Sequence, residues 1–159
     1  MTTQSRHTLT VHAIDPARLD AVRRVREDGW GNALTPFAAA GEGEPLRCCL
    51  RYAGPGETIA LISYAPFTAT SVWREVGPVY VHAERCPGYA GSGLPEELRR
   101  GPRVLRTYRV DGTMDYAHNT LTGDEDLEPV LDRLLDVPGV AIAHVRTALP
   151  QCFLYAVTR

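Results

Sequence analysis

The stretch Val72-Trp-Arg-Glu-Val-Gly-Pro-Val-Tyr-Val-His-Ala-Glu-Arg-Cys86 combines a turn, a strand and two side chains that can react or bind a ligand. Gly77-Pro78 predicts the turn, and the pattern over residues 79–82 predicts a short strand. His82 and Glu84 would point the same way on an extended segment, so Glu84 could orient His82. A thiol beside an imidazole is an activated nucleophile, and we therefore consider His82 and Cys86 as catalytic candidates.

The sequence on both sides of this stretch predicts an α+β fold. Asp15-Pro16 is typical of a helix start and predicts a helix to about residue 28, with Leu19, Val22 and Val25 facing the core. A second helix is expected after residues 123–126, with Val130, Leu131, Leu134 and Leu135 on its apolar face. Strands are predicted at residues 8–14, 46–52, 57–65, 79–82, 103–110, 113–118, 140–147 and 152–158. These elements predict a single domain over residues 1–159, with two main helices and one mainly antiparallel sheet of about seven strands.

Two hairpins are expected within this sheet. Asp111-Gly112 between apolar runs predicts a tight hairpin turn, in which Arg106 and Tyr108 face one way and Asp115 lies across from Tyr108. The last two strands predict a second hairpin that closes the sheet. These connections favour antiparallel pairing but leave the strand order open.

Composition excludes several classes of function. The net charge is −2 with acidic and basic residues mixed along the chain, so no basic face for nucleic acid is expected. No apolar stretch is long enough to cross a membrane, and residues 1–8 lack the apolar core of a signal peptide, which predicts a cytoplasmic protein. All 17 basic residues are Arg. The absence of Lys excludes a Schiff-base lysine, a pyridoxal-phosphate site and a P-loop, and no bound cofactor is indicated.

The second predicted strand carries a cysteine between two arginines. On a strand over residues 46–52, Arg47, Cys49 and Arg51 share one face, so the arginines could hold an anion beside an acidified Cys49 thiol. Cys48 would then point to the opposite face. All four cysteines are expected to be free thiols.

The penultimate strand places His144 and Arg146 on one face. Whether Cys152 joins them depends on the length of the turn between the last two strands. A turn of two or four residues places Cys152 opposite Thr147 and away from His144, whereas a turn of three residues brings it to the same face.

A metal site is the weaker interpretation of these residues. His82, Cys86, His144 and Cys152 are chemically suitable for zinc, but the spacings His-x3-Cys and His-x7-Cys do not form the tight pairs typical of zinc motifs. No metal ligand is assigned from the sequence.

Several motifs resemble a bacterial family catalogued as domain of unknown function 1203, over residues 45–159. The similar stretches are Pro45-Leu-Arg-Cys-Cys-Leu50, Ile62-Ser-Tyr-Ala-Pro-Phe67, Glu75-Val-Gly-Pro-Val-Tyr-Val-His82 with Cys86, Leu94-Pro95, His144-Val-Arg146 and Cys152-Phe153. Members of that family often carry Cys-Arg-His-Cys-Leu where this chain has Leu46-Arg-Cys-Cys-Leu50. Leu46 and Cys48 depart from the family pattern, which counts against ligands at those two positions. The resemblance implies no activity.

These observations favour a small cytoplasmic enzyme that acts on an anionic small molecule. In this hypothesis Arg47, Arg51, Arg146 and Tyr108 bind the substrate, and His82, His144, Cys49 and Cys86 are catalytic. Two alternatives remain: a non-catalytic module that binds a metabolite or a protein, and a Cys/His metal-binding protein. The sequence leaves the oligomeric state open.

Overall fold

The computed structural model describes residues 8–159 and has an α+β architecture of two helices and two five-stranded sheets. A 3-10 helix also forms at Tyr116–His118. The elements in chain order are β1 (Thr10–His12), α1 (Pro16–Val25), β2 (Phe37–Ala38), β3 (Pro45–Leu46), β4 (Arg51–Tyr52), β5 (Thr58–Tyr64), β6 (Gly77–His82), β7 (Arg103–Tyr108), β8 (Thr120–Leu121), α2 (Leu127–Leu135), β9 (Ile142–Thr147) and β10 (Phe153–Thr158). Within residues 8–159, no helix has the length and apolar character needed to cross a membrane. Residues 1–7, which contain most of the stretch without a signal-peptide core, lie outside the described residues.

The strands form two sheets, so the prediction of one sheet of about seven strands is wrong. Sheet I has the order β1-β10-β9-β7-β8, and all of its pairs are antiparallel. Sheet II has the order β2-β5-β6-β3-β4 and is antiparallel except for the β3–β6 pair. Residues 83–102 between β6 and β7 form no strand. The chain therefore leaves sheet II after β6, and β7 pairs in sheet I instead.

Helix α1 starts where the sequence predicts and ends earlier. Asp15 Oδ1 accepts a hydrogen bond from the backbone N–H of Ala17 at 2.9 Å, which caps the first turn. The helix ends at Val25 because Arg26 adopts a left-handed conformation with φ of 64°, and its N–H bonds to the carbonyl of Val22. Val25 is consequently exposed, contrary to the prediction, whereas Leu19 is buried against sheet II.

Helix α2 forms as predicted. Its N-cap, Asp126, accepts a hydrogen bond from the backbone N–H of Glu128 at 2.9 Å. Its buried face contains Leu127 and the four apolar residues that the periodicity predicts. These side chains belong to the aliphatic core of sheet I, so α2 packs on the sheet with the longer strands.

The hairpin around Asp111-Gly112 forms only in part. The turn is present, with the N–H of Gly112 bonded to the carbonyl of Arg109 at 2.9 Å. The predicted strand over residues 113–118 is wrong: only Met114 bridges Tyr108 before the chain enters the 3-10 helix. Asn119 Oδ1 accepts the N–H of Thr107 at 2.9 Å, so a side chain replaces the strand partner. Met114, and not Asp115, therefore lies across from Tyr108.

The two sheets meet along β10 of sheet I. The Tyr64 ring of β5 packs against the Phe153 ring of β10, with centroids 5.6 Å apart. Arg47 crosses the same junction and donates from Nε to the carbonyl of Phe153 at 2.6 Å. Most of the candidate functional residues lie near this junction or on the strands that flank it.

Candidate functional site

The segment that carries Cys48 and Cys49 is a turn, and the predicted strand over residues 46–52 is wrong. β3 and β4 are two-residue strands that pair with each other, and the backbone N–H of Leu50 bonds to the carbonyl of Leu46 at 2.9 Å. Leu50 closes the turn with φ of 58°. Such a conformation costs on the order of 1–3 kcal/mol for a residue other than glycine, and strain of this kind concentrates at functional sites.

The turn brings the two adjacent thiols together. Cys48 Sγ and Cys49 Sγ lie 4.0 Å apart. The prediction that they point to opposite faces depends on an extended backbone, which this turn does not have. Cys48 is buried and Cys49 is partly exposed, so the pair extends from the core of sheet II toward solvent.

His82 joins the thiols because β6 lies beside β3. The backbone N–H of Arg47 bonds to the carbonyl of Tyr80 at 2.9 Å, which aligns the end of β6 with the turn. His82 Nδ1 lies 3.4 Å from Cys48 Sγ and 3.8 Å from Cys49 Sγ. Cys86 follows in the next loop and completes the group. One ligand atom from each of the four residues lies within 4.8 Å of the other three.

The separations among Cys48, Cys49 and His82 are close to those around a tetrahedral metal ion, and Cys86 lies within 4.8 Å of the three. Zinc binds cysteine sulfur at about 2.3 Å and histidine nitrogen at about 2.0–2.1 Å, so tetrahedral angles place neighbouring ligand atoms about 3.5–3.8 Å apart. The three measured separations among Cys48 Sγ, Cys49 Sγ and His82 Nδ1 run from 3.4 to 4.0 Å. We call Cys48, Cys49, His82 and Cys86 the Cys/His cluster.

Hydrogen bonds and burial shift the pKa values of the three cluster thiols in different directions. The pKa of Cys48 is raised because its thiol donates to Cys49 and is buried, whereas accepting that bond lowers the pKa of Cys49. The nearby guanidinium of Arg51 lowers the pKa of Cys49 further. Burial raises the pKa of Cys86. Cys49 is therefore the thiol best able to carry a negative charge. The backbone N–H of His82 points at Cys48 Sγ from 3.3 Å and would stabilise a thiolate there.

A carboxylate fixes the orientation of the His82 ring. Glu57 Oε1 lies 3.1 Å from His82 Nε2, and Arg51 binds both oxygens of Glu57 at 2.6 and 2.8 Å. These Arg51 contacts, then the N–H of Gly54 and then His82, hold the pKa of Glu57 well below its usual range. An ionised carboxylate only accepts, so His82 Nε2 donates in this contact, and the Nδ1 lone pair of a neutral ring would face the thiols. Arg51 Nη2 lies farther from Nε2, at 3.4 Å.

Glu57 takes the position that the sequence suggests for Glu84. Glu84 is exposed, and the structure gives His82 a contact with Glu57 instead. The antiparallel pairing of β5 with β6 explains this choice, because Ile59 lies opposite His82 and Glu57 is two residues from that position.

The two arginines of the turn do not share a face beside Cys49. Arg47 is 2% exposed and donates to the carbonyls of Phe153 and Pro45. Burial lowers its pKa to about 10. Arg51 pairs with Glu57. Both guanidinium groups thus have partners within the protein, and the anion-binding role assigned to them stays a prediction.

His144 and Arg146 do lie on one face of β9, but the Cys/His cluster is elsewhere. His144 is 1% exposed and packs among the rings of Phe67, Tyr108 and Phe153, with centroids 4.7, 4.7 and 5.1 Å away. Burial, followed by repulsion from two arginines, lowers its pKa to about 3. His144 is therefore packed in the core with no exposed face, and the catalytic role assigned to it stays a prediction.

Cys152 does not join His144. Residues 148–151 connect β9 to β10, and Thr147 donates its backbone N–H to the carbonyl of Cys152 at 3.0 Å. Thr147 Oγ1 also accepts the N–H of Cys152 at 2.9 Å. This is the four-residue turn of the sequence analysis, which leaves Cys152 opposite Thr147.

The structure therefore unites Cys49, His82 and Cys86 from the predicted set and adds Cys48, a position at which the family pattern counted against a ligand. The available signals were the adjacent cysteine pair and the His-x3-Cys spacing, each of which supplies two members of the cluster. The two signals were not combined, because the predicted strand over residues 46–52 would place Cys48 and Cys49 on opposite faces. The catalytic roles assigned to Cys49, His82 and Cys86 stay predictions.

The fold and the cluster define this molecule as an α+β protein with a four-residue Cys/His centre. Residues 43–159 match the family described as protein of unknown function DUF1203, and the chain belongs to that family. No curated protein and no solved structure matches the chain. The family carries no established activity, so function is argued from the cluster itself.

Proposed function

We propose that this chain is a zinc-binding protein in which Cys48, Cys49, His82 and Cys86 together hold one Zn²⁺ ion. The observation that carries this proposal is that the four ligand atoms lie within 4.8 Å of one another. Thiolate and imidazole ligands favour zinc among the common divalent metals, and three cysteines with one histidine make a complete tetrahedral set.

The surroundings of His82 support the same function. Metal-binding histidines commonly donate their second ring N–H to a carboxylate, which fixes the tautomer and the ring orientation. Glu57 accepts from His82 Nε2, and Arg51 binds Glu57 through both of its oxygens. His82 Nδ1 is thereby left to bind the ion.

Two arginines beside the site would offset part of its charge, although each also pairs with a carboxylate, Arg51 with Glu57 and Arg23 with Asp20. Three thiolates around Zn²⁺ carry a net charge of −1. Arg51 lies near Cys49, and Arg23 of α1 lies near Cys86 and donates to the carbonyl of His82 at 3.0 Å. These guanidinium groups would stabilise the negative centre.

The expected role of the ion is structural. Four protein ligands leave no open coordination position for water or substrate, which is the arrangement of structural zinc sites. The ion would tie together the turn at residues 47–50, the end of β6 and the loop after it. In this account the thiols of Cys49 and Cys86 and the imidazole of His82 are ligands, and the role of nucleophile or base that the sequence suggests is replaced.

Metal content tests the proposal directly. Protein produced with added zinc and dialysed against metal-free buffer should contain about one zinc per chain by elemental analysis. Cys49→Ser and His82→Ala should each lose most of that zinc. Cys152→Ser is the matched control, because Cys152 is a free thiol outside the cluster, and it should keep its zinc.

Two results would contradict the proposal. Wild-type protein that retains only a trace of zinc after dialysis would remove it. So would an equal loss of zinc in Cys152→Ser and Cys49→Ser, because the metal would then depend on thiols in general.

A further inference from the structure

A second polar site lies at the junction of the two sheets, away from the Cys/His cluster. A cavity of about 370 Å³ opens there between β6 and the β9–β10 hairpin. Its polar side chains include Arg106, Arg146 and Glu75, and its walls include the rings of Tyr64 and Phe153. This volume is within the range of small-molecule sites, which combine apolar walls with a few convergent polar groups.

One carboxylate oxygen holds both arginines. Glu75 Oε2 lies 2.9 Å from Arg146 Nη2 and also contacts Arg106 Nη1. Gln151 completes the arrangement, because its side-chain oxygen accepts from Arg106 and its carbonyl accepts from Arg146. Two guanidinium groups that converge on one oxygen form a receptor for a carboxylate.

The site carries more positive charge than Glu75 neutralises. Within residues 8–159, Glu75 is the only carboxylate that forms an ion pair with Arg106 or Arg146. Arg146 is 6% exposed, and its buried Nε has no hydrogen-bond partner. A buried guanidinium whose charge and N–H groups are only partly matched is costly, which favours a second acceptor at the Nη atoms that Glu75 contacts.

Glu75 is the least constrained partner in these ion pairs. It belongs to the irregular segment between β5 and β6, and about half of its side chain is exposed. Arg106 and Arg146, by contrast, project from the paired strands β7 and β9 of sheet I. The arginines are therefore fixed, whereas their carboxylate partner is attached to a segment without ladder hydrogen bonds.

We propose that this cleft binds a small carboxylate with an aromatic or apolar body, which displaces Glu75 from Arg106 and Arg146. The carboxylate takes the place of the Glu75 side chain, and the body of the ligand packs on Tyr64 and Phe153. Glu75 acts as an internal competitor that holds the arginines in position while the cleft has no ligand. This site shares no residue with the Cys/His cluster, so each proposal stands or fails separately.

Benzoate is a suitable probe, since it combines a carboxylate with one ring. In a ¹H–¹⁵N NMR titration of the purified 159-residue protein, benzoate should cause saturable shifts in amides of β7 and β9. Sodium chloride at the same ionic strength should not. Glu75→Gln should bind benzoate about tenfold more tightly, which is the gain expected if Glu75 holds the site about nine-tenths of the time.

Variants of the arginines separate a site from a surface effect. Arg106→Gln should abolish the saturable shifts. Arg106→Lys is the substitute if the Gln variant does not fold. It keeps the charge but loses the planar fork, so it should weaken benzoate binding. Arg109→Gln is the matched control, because Arg109 is about half exposed and pairs with Asp115 outside the cleft. It should bind as wild type does.

The proposal is overturned if wild-type protein shows no saturable shift with benzoate, even where Glu75→Gln binds it. In that case the Glu75 ion pairs serve only to join the sheets. Equal binding by wild type and by a folded Arg106 variant would also overturn it. Zinc content measured on the same samples shows whether the Cys/His cluster is intact in each variant.

Discussion

Sheet I packs its aliphatic side chains against helix α2, whereas sheet II has the Cys/His cluster at one of its edges. Sheet I has three six-residue strands and a helix with five buried apolar residues. Sheet II has three two-residue strands, two of which flank the turn that carries Cys48 and Cys49. Both sheets have a buried apolar core, but in the zinc proposal only the edge of sheet II that carries the Cys/His cluster is also held by a metal ion.

The largest expected effect is the response to metal removal. Structural zinc contributes on the order of 10 kcal/mol of apparent binding free energy in small domains, so its loss should open the turn at residues 47–50 and free the end of β6. Hydrogen exchange after chelation should accelerate strongly over residues 45–52 and 79–82, and much less in α2, β9 and β10. Equal acceleration in both sheets would show that the halves do not differ in this way.

Truncation of a core residue should produce the opposite pattern. Leu131 in α2 is fully buried in the core of sheet I. Leu131→Ala should lower the free energy of unfolding by about 2–5 kcal/mol through lost burial and the cavity left behind. Denaturant unfolding measures this loss, and the folded variant should still contain one zinc. Loss of zinc at low denaturant in this variant would contradict the contrast between the two sheets, because it would show that the Cys/His cluster depends on the core of sheet I.

The Glu57 carboxylate should raise the zinc affinity without being a ligand itself. Glu57→Gln removes the charge that orients His82 but leaves the four ligands in place, so zinc affinity should fall about 10–100-fold. Competition with a chromophoric chelator gives the affinity. Glu84→Gln is the matched control, since Glu84 is a nearby exposed carboxylate without a contact to His82, and it should have wild-type affinity. Similar losses of zinc affinity in the two variants would show that the net charge near the site, and not the orientation of His82, sets the affinity.

The free energy of unfolding should depend on pH because of His144, which is buried in sheet I. Its pKa is about 3 when folded and about 6.5 in an unfolded chain, so below pH 6.5 the unfolded state binds more protons. The free energy of unfolding should therefore fall by about 1.4 kcal/mol for each pH unit between about 6 and 3 because of this group alone.

His144→Phe keeps a ring among Phe67, Tyr108 and Phe153 and removes the titration. The slope of stability against pH should be shallower by that amount in the variant, as measured by urea unfolding at several pH values. An unchanged slope would show that His144 does not stay neutral in the folded protein. The positive charges that face it are those of Arg106 and Arg146.

The parts of the fold that the sequence predicted are those whose pattern is local. β5, β9, β10 and α2 were predicted at nearly their observed positions, because apolar residues repeat within each element at the strand or helix period. The start of α1 was predicted for the same reason, since Asp15 and Pro16 form a cap that acts over one turn. Its end was not, because a left-handed Arg26 has no signal in the sequence.

The cluster could not be predicted because it depends on one turn and on strand order. Leu46, Cys48, Leu50 and Tyr52 alternate as a half-buried strand would, and the left-handed conformation of Leu50 is rare for a leucine. The contact of Glu57 with His82 follows from the register of β5 with β6, which hairpin signals leave open. The division into two sheets depends on the irregular segment over residues 83–102. Each of these features is set by packing between distant segments.

X-ray absorption at the zinc edge of the purified protein tests the central claim most directly. The account predicts three sulfur ligands at about 2.3 Å and one nitrogen at about 2.0–2.1 Å. A first shell of oxygen and nitrogen, or one with fewer than three sulfurs at full zinc occupancy, would contradict the assignment of Cys48, Cys49, His82 and Cys86 as the ligands.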